Sequence, residues 1–113
     1  MKTSLKVKIC GLRREEDLMF SKSLGANYFG FILYEKSPRY ISFETLKSIT
    51  NSVSLDSCVF VDVMPTEDKI KRMQDFGCVN FQIHIEEGTS LKVYESYAEL
   101  VEKGALWLAP QLY

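Results

Sequence analysis

Cys10, Arg39, Gln82 and His84 are the side chains whose types and positions could do chemistry. Cys10 closes the run Lys6-Val7-Lys8-Ile9-Cys10 and is followed by Gly11. In a strand, alternate side chains share a face, so Lys6, Lys8 and Cys10 lie on one side while Val7 and Ile9 lie on the other, where they would pack against helices. A thiol at the mouth of a strand works as a general base or nucleophile when its thiolate is stabilised, and Lys8 on the same face is a candidate helper. Taken alone, a strand cysteine is more often a small core hydrophobe. Arg39 follows Pro38, which stiffens its loop, and an arginine held over the strand ends can grip a planar carboxylate with two parallel hydrogen bonds. The plainer reading of Arg39 is a solvated surface charge. Gln82 and His84 point to one face of a later run and Phe81 and Ile83 to the other. A solitary histidine is usually structural, but the carboxyl end of a strand favours a functional one.

Composition removes several classes of function. The 113 residues are 46% hydrophobic and 26% charged, the profile of one soluble unit. A net charge of -1 with both signs interspersed gives no footprint for nucleic acid or an anionic membrane. No run of about 18 apolar residues is present and the start lacks a signal-peptide core, so a cytoplasmic location is expected. The three cysteines, Cys10, Cys58 and Cys78, suit neither a disulfide framework nor a CxxC metal site. With His84 as the single histidine, a paired-histidine zinc site is excluded. The expected partner is a small molecule.

The elements that must position these residues follow from periodicity. Runs rich in Val, Ile, Phe and Tyr alternate with longer amphipathic segments, as in successive βα units. Strands are expected over 5–10, 28–33, 58–63, 80–84 and 106–109. Helices are expected over 14–24, 43–51, 67–76 and 91–103, with Ser42 and Thr66 as N-caps and Gly25, Gly77 and Gly104 closing three of them. Strict alternation implies a parallel sheet covered by helices, because a parallel crossover needs about a dozen residues. The fold class is therefore α/β. A five-stranded doubly wound sheet closes at about this length, whereas a (β/α)8 barrel usually needs about 200 residues or more.

The order and spacing of three segments bear on that choice. Lys6-Val7-Lys8-Ile9-Cys10-Gly11-Leu12, then Leu24 through Tyr34, then Lys36-Ser37-Pro38-Arg39-Tyr40-Ile41-Ser42, resemble the opening of phosphoribosylanthranilate isomerase. The family's KICG motif matches Cys10, its substrate-gripping arginine matches Arg39, and its QLH segment matches Gln82, Ile83 and His84. The resemblance implies a partial (β/α)8 TIM barrel with about five parallel strands and four helices, residues 1–113 being the amino-terminal portion of an incomplete domain. It implies an Amadori rearrangement of N-(5-phosphoribosyl)anthranilate with Cys10 as base, Arg39 on the anthranilate carboxylate, and no metal or organic cofactor. The family's general-acid aspartate and phosphate loops belong to the second half of the barrel, so the chain is expected to be inactive alone and to need that half or to self-associate. Three departures stand out: Arg13 in place of a helix-capping threonine, Ile85 in place of a glycine, and no asparagine at the end of Val61-Asp62-Val63-Met64.

Two other readings compete. A receiver-like signalling domain would use Asp62 as phosphoacceptor, yet the ends of strands one and five offer Cys10-Gly11 and Ala109-Pro110 where an acidic pair and a lysine are needed. A half-barrel interaction module would make no demand on Cys10 or Arg39. Strand order separates these readings, because a singly wound sheet runs one to five, whereas a doubly wound one sets strand one between strands two and three.

Overall fold

The computed structural model describes residues 5–101 and 104–110. Its elements alternate as expected: β1 (Lys8–Ile9), α1 (Glu15–Ser23), β2 (Tyr28–Ile32), α2 (Phe43–Ile49), β3 (Cys58–Val63), α3 (Glu67–Phe76), β4 (Asn80–Ile85), α4 (Leu91–Leu100) and β5 (Ala105–Pro110). The five strands are parallel and lie in the order β1-β2-β3-β4-β5. Each strand thus pairs with its neighbours in sequence, which is the singly wound arrangement and excludes the doubly wound receiver-like sheet.

Local chemistry explains most boundaries. In α2 and α3 the Ser42 and Thr66 hydroxyls accept from the backbone N–H of Thr45 and Lys69, and Gly77 ends α3 in the left-handed conformation at φ 115°. α2 stops at Ile49, short of the expected 51, and runs on as a 3-10 turn, Thr50–Ser52. α4 stops at Leu100, short of the expected 103, with Val101 as its C-cap, and 102–103 lie outside the described residues. β1 shows the largest departure, two residues against the six expected. Among the described residues it borders only β2. Its pairing nonetheless reaches back to Val7, whose carbonyl accepts from Asn27 and Tyr28 N–H at 2.9 and 3.1 Å.

Register sorts the side chains onto two faces. Phe31, Phe60 and Phe81 stand side by side on β2, β3 and β4 with ring centroids 6.2 Å apart at each step. Together with Phe29, Leu33, Ile83 and Ile85 they form the main core with Leu18 of α1, Leu46 of α2, Ile70 and Met73 of α3, and Tyr97 of α4. All four helices contribute to this one core. The opposite face carries a smaller cluster, Ile32, Val59 and Val61, joined by Cys10, Tyr28 and Tyr34. Val7 and Ile9 depart from expectation here: they remain 42% and 36% exposed, with no helix among the described residues covering them.

The helix-free face is concave. Lys8 Nζ of β1 donates to Gln82 Oε1 of β4 and lies 6.0 Å from the ring centre of Trp107 on β5. On a flat sheet β1 and β4 would stand about 14 Å apart, three strand spacings. A lysine side chain spans that gap only if the sheet curls into a trough, and that curl makes this half of a barrel.

Asp62 faces the helices. Its carboxylate is bound by Lys69 Nζ of α3 at 2.5 Å and accepts from Val63 N–H at 2.7 Å, while Lys69 also donates to the Leu33 carbonyl. Burial pushes the carboxyl above its ordinary range, and the Lys69 contact pulls the other way. A carboxyl raised in the fold contributes stability below its unfolded value that is lost as pH rises. We expect Asp62→Asn to stay within about 1 kcal/mol of the parent and Lys69→Met to cost about 2 kcal/mol at pH 8 by stranding the carboxylate, a loss that shrinks at a lower pH as Asp62 protonates. Denaturant unfolding of both variants at the two pH values checks this, and a Lys69→Met penalty independent of pH would contradict it.

Candidate active site

The carboxyl ends of β1 and β2 bring Cys10 and Arg39 together. Gly11 and Leu12 N–H both donate to the Gly30 carbonyl, at 3.0 and 3.1 Å, which ties the turn after β1 to the middle of β2. The lack of a side chain at Gly30 makes room for Cys10, since a Cβ there would lie 2.9 Å from its Sγ and 3.0 Å from its Cα. Gly11 plays the matching part for Arg39: it adopts φ +83°, and a Cβ on it would lie 2.6 Å from Arg39 Nη1. Arg39 therefore lies against the residue that follows Cys10.

The loop holding Arg39 folds back along β2. Tyr40 bridges to Ile32, Ile41 N–H donates to the Ile32 carbonyl at 3.0 Å, and Arg39 N–H donates to Ser37 Oγ at 3.1 Å. No carboxylate among the described residues pairs with the Arg39 guanidinium. An exposed planar cation near a half-buried thiol can bind a carboxylate and leave the thiol facing the bound molecule.

Gln82 and His84 lie on the same concave face of β4. Gln82 touches Lys8 on one side, and its Nε2 lies 3.0 Å from His84 Nε2 on the other. Gln82, Trp107 and Val61 share one register row, and Val63 pairs with His84 one step further on. Lys8 and Trp107 thus join a polar group that the motif reading had confined to Gln82 and His84. The signal for Trp107 was present in the alternation of the fifth strand, but only the register of β4 against β5 puts it beside Gln82.

The other two cysteines are set apart from this face. Cys58 and Cys78 are buried in the main core. Burial pushes the Cys58 thiol up to about 12 and raises that of Cys78 as well, with Cys58 adding to the effect. Among the described residues no group of three or more His, Cys, Asp or Glu could hold a metal ion, and no helix is long and apolar enough to cross a membrane.

The sequence departures have local consequences. The N-cap of α1 is Arg14 and not the Arg13 of the sequence reading; it makes no side-chain cap hydrogen bond and pairs instead with Asp17 at 3.1 Å. Met64, directly after β3, sits at φ 44°, a conformation that favours Asn or Gly over a long side chain.

No protein-family model matches the chain. Curated relatives do match, each named N-(5'-phosphoribosyl)anthranilate isomerase: one from Methanothermobacter marburgensis, 32% identical over 81% of this chain and 42% of its own length; one from Zymomonas mobilis, 34% identical over 94% and 50%; and one from Thermotoga maritima, 41% identical over 77% and 43%. The chain spans about half the length of these relatives. Its fold matches crystal structures of phosphoribosyl anthranilate isomerase from Thermus thermophilus, with a TM-score of 0.77, 28% identity and 96% of this chain against 52% of that one, and from Thermotoga maritima, again at 0.77 and 28%. Another matching isomerase structure holds reduced 1-(o-carboxyphenylamino)-1-deoxyribulose 5-phosphate.

Two measurements test the site. Iodoacetamide at pH 8 should label Cys10 quickly and leave Cys58 and Cys78 unlabelled in the folded chain, as read by peptide mass spectrometry; rapid labelling of either core thiol would contradict the burial pattern. Met64→Asn should raise stability by about 0.5–1 kcal/mol by relieving the left-handed strain, and a destabilised variant would refute the strain.

Proposed function

From the likeness in sequence and fold to about half of phosphoribosylanthranilate isomerases, we infer that this chain supplies the first five strands of such an enzyme. The reaction is the rearrangement of N-(5-phosphoribosyl)anthranilate to 1-(2-carboxyphenylamino)-1-deoxyribulose 5-phosphate, and its place is the cytoplasm. The single observation that carries the reading is Arg39 lying on Gly11, the residue next to Cys10, at the carboxyl end of the sheet. Arg39 holds the anthranilate carboxylate by paired hydrogen bonds and so fixes the sugar over the thiol. A general acid first protonates the ring oxygen, and the ring opens to an iminium ion. The Cys10 thiolate then removes the proton from C2 of the sugar, giving an enamine that tautomerises to the ketose product. Gln82 and His84 contact the sugar portion from the facing side of the trough.

The chain does not supply the general acid or the phosphate-binding loops in this reading. Both come with the strands that close the barrel between β5 and β1. Among the described residues each of these two edge strands has an unpaired side, and Val7 and Ile9 at β1 and Phe20 and Leu24 at α1 and its end are exposed. Such edges pair with other strands when none is provided.

The isolated chain should therefore show no turnover and should self-associate, as seen by substrate fluorescence and light scattering. Co-expression with the carboxyl-terminal half of the Thermotoga maritima relative should restore turnover. In that assembly Cys10→Ala should lower kcat at least about 100-fold, the usual worth of a general base, and Arg39→Ala should act mainly by raising KM. Full activity of the chain by itself, or an active Cys10→Ala assembly, would overturn the assignment.

A further inference from the structure

Lys8, Gln82 and His84 form a chain of contacts across the trough whose direction is fixed by chemistry. A lysine ammonium only donates, so the Gln82 atom that meets Lys8 Nζ must be the amide oxygen. The other end of the amide is then the NH2 group, which only donates, and it lies 3.0 Å from His84 Nε2. That nitrogen must accept, which requires a neutral imidazole with its proton on Nδ1. The Trp107 ring, 6.0 Å from Lys8 Nζ, is a further attraction that keeps the ammonium in place. Nδ1 has no hydrogen-bond partner among the described residues.

We propose that Lys8 and Gln82 are positioning residues that hold His84 as a neutral Nδ1–H donor, and that this donor serves an acceptor oxygen of the ligand, a sugar hydroxyl or carboxylate. The use of the donor by ligand rests on the isomerase reading given above, whereas the protonation pattern of the ring does not. The inference adds to the sugar contact proposed for Gln82 the part of directing the histidine. It also explains a lysine on a face that a closed barrel would bury: its charge is spent on orienting the amide.

His84 is the single histidine of the sequence, so its ring gives the only imidazole signals. Selective 13C and 15N labelling of histidine at pH 8, above the ordinary imidazole range, reads the tautomer from the two nitrogen shifts. The expected result is a pyrrole-type Nδ1 and a pyridine-type Nε2. Magic-angle spinning reads the same shifts if the chain self-associates. Lys8→Met and Gln82→Leu should each move the proton toward Nε2, and Lys8→Arg, which keeps a donor-only cation, should retain the parent pattern. A parent ring protonated on Nε2, or a pattern indifferent to both substitutions, overturns the proposal. In the assembly with the Thermotoga maritima half, His84→Ala should raise KM severalfold. An Nδ1–H ring with unchanged kinetics would refute the ligand contact alone, and loss of all activity in the parent assembly would count against the isomerase reading instead.

Discussion

Everything in this molecule follows from strands that pair only with their neighbours in sequence. When every crossover moves one strand in the same direction, the helices collect on one side of the sheet. The sheet's own twist then curls the uncovered side inward. The Phe31, Phe60 and Phe81 row fixes the register on the helix side. Lys8 touching Gln82 across three strand positions measures the curl on the other. A one-residue slip of β4 would turn Gln82 and His84 into the helices and bring Phe81 and Ile83 into the trough, so the aromatic core and the candidate site are specified by the same alignment.

The two faces assign opposite fates to similar residues. Cys58 opens β3 and Cys10 directly follows β1, but Cys58 faces the helices, where burial suppresses its ionisation. Cys10 sits at the rim beside an unpaired arginine. Asp62 illustrates the same division. At the end of a third strand it invites a phosphoacceptor reading, yet it points at α3 and is consumed by Lys69 and its own backbone. Parity along a strand therefore decides whether a reactive side chain is available, and residue type alone does not.

Periodicity made the alternation of elements legible, and capping residues made α3 legible to the residue: Thr66 and Gly77 mark its ends by side-chain and backbone chemistry local to the chain. The failures come where distant packing decides. β1 reads as six residues because Lys6 to Cys10 alternates well, but a strand with one neighbour in the chain has less to hold it, and two residues form the ladder. The end of α2 gives way to a 3-10 turn without any residue to announce it. At the site, Cys10 and Arg39 are legible as a motif, and their placement depends on Gly30 and Gly11 respectively, whose missing side chains are visible in the sequence but whose neighbours are not. Trp107 and Lys8 acquire meaning only from register and curl.

Closure of the barrel would change more than the list of residues. In the open trough, water reaches Cys10 and Arg39, and the attraction between a cation and an anion there is weakened by the high dielectric. At 4 Å separation the interaction is about 1 kcal/mol in water and about 4 kcal/mol in an environment of intermediate polarity. Proton removal from a sugar carbon depends on such differences, since the charge that develops must be met by groups already in place rather than by reorganising solvent. Strands laid across the gap between β5 and β1 would exclude that water and sharpen each contact the first half already makes. In the proposed reading, a half-barrel can thus hold a candidate base and a candidate carboxylate clamp and still lack the environment in which they would act, so the second half would contribute dielectric as well as functional groups.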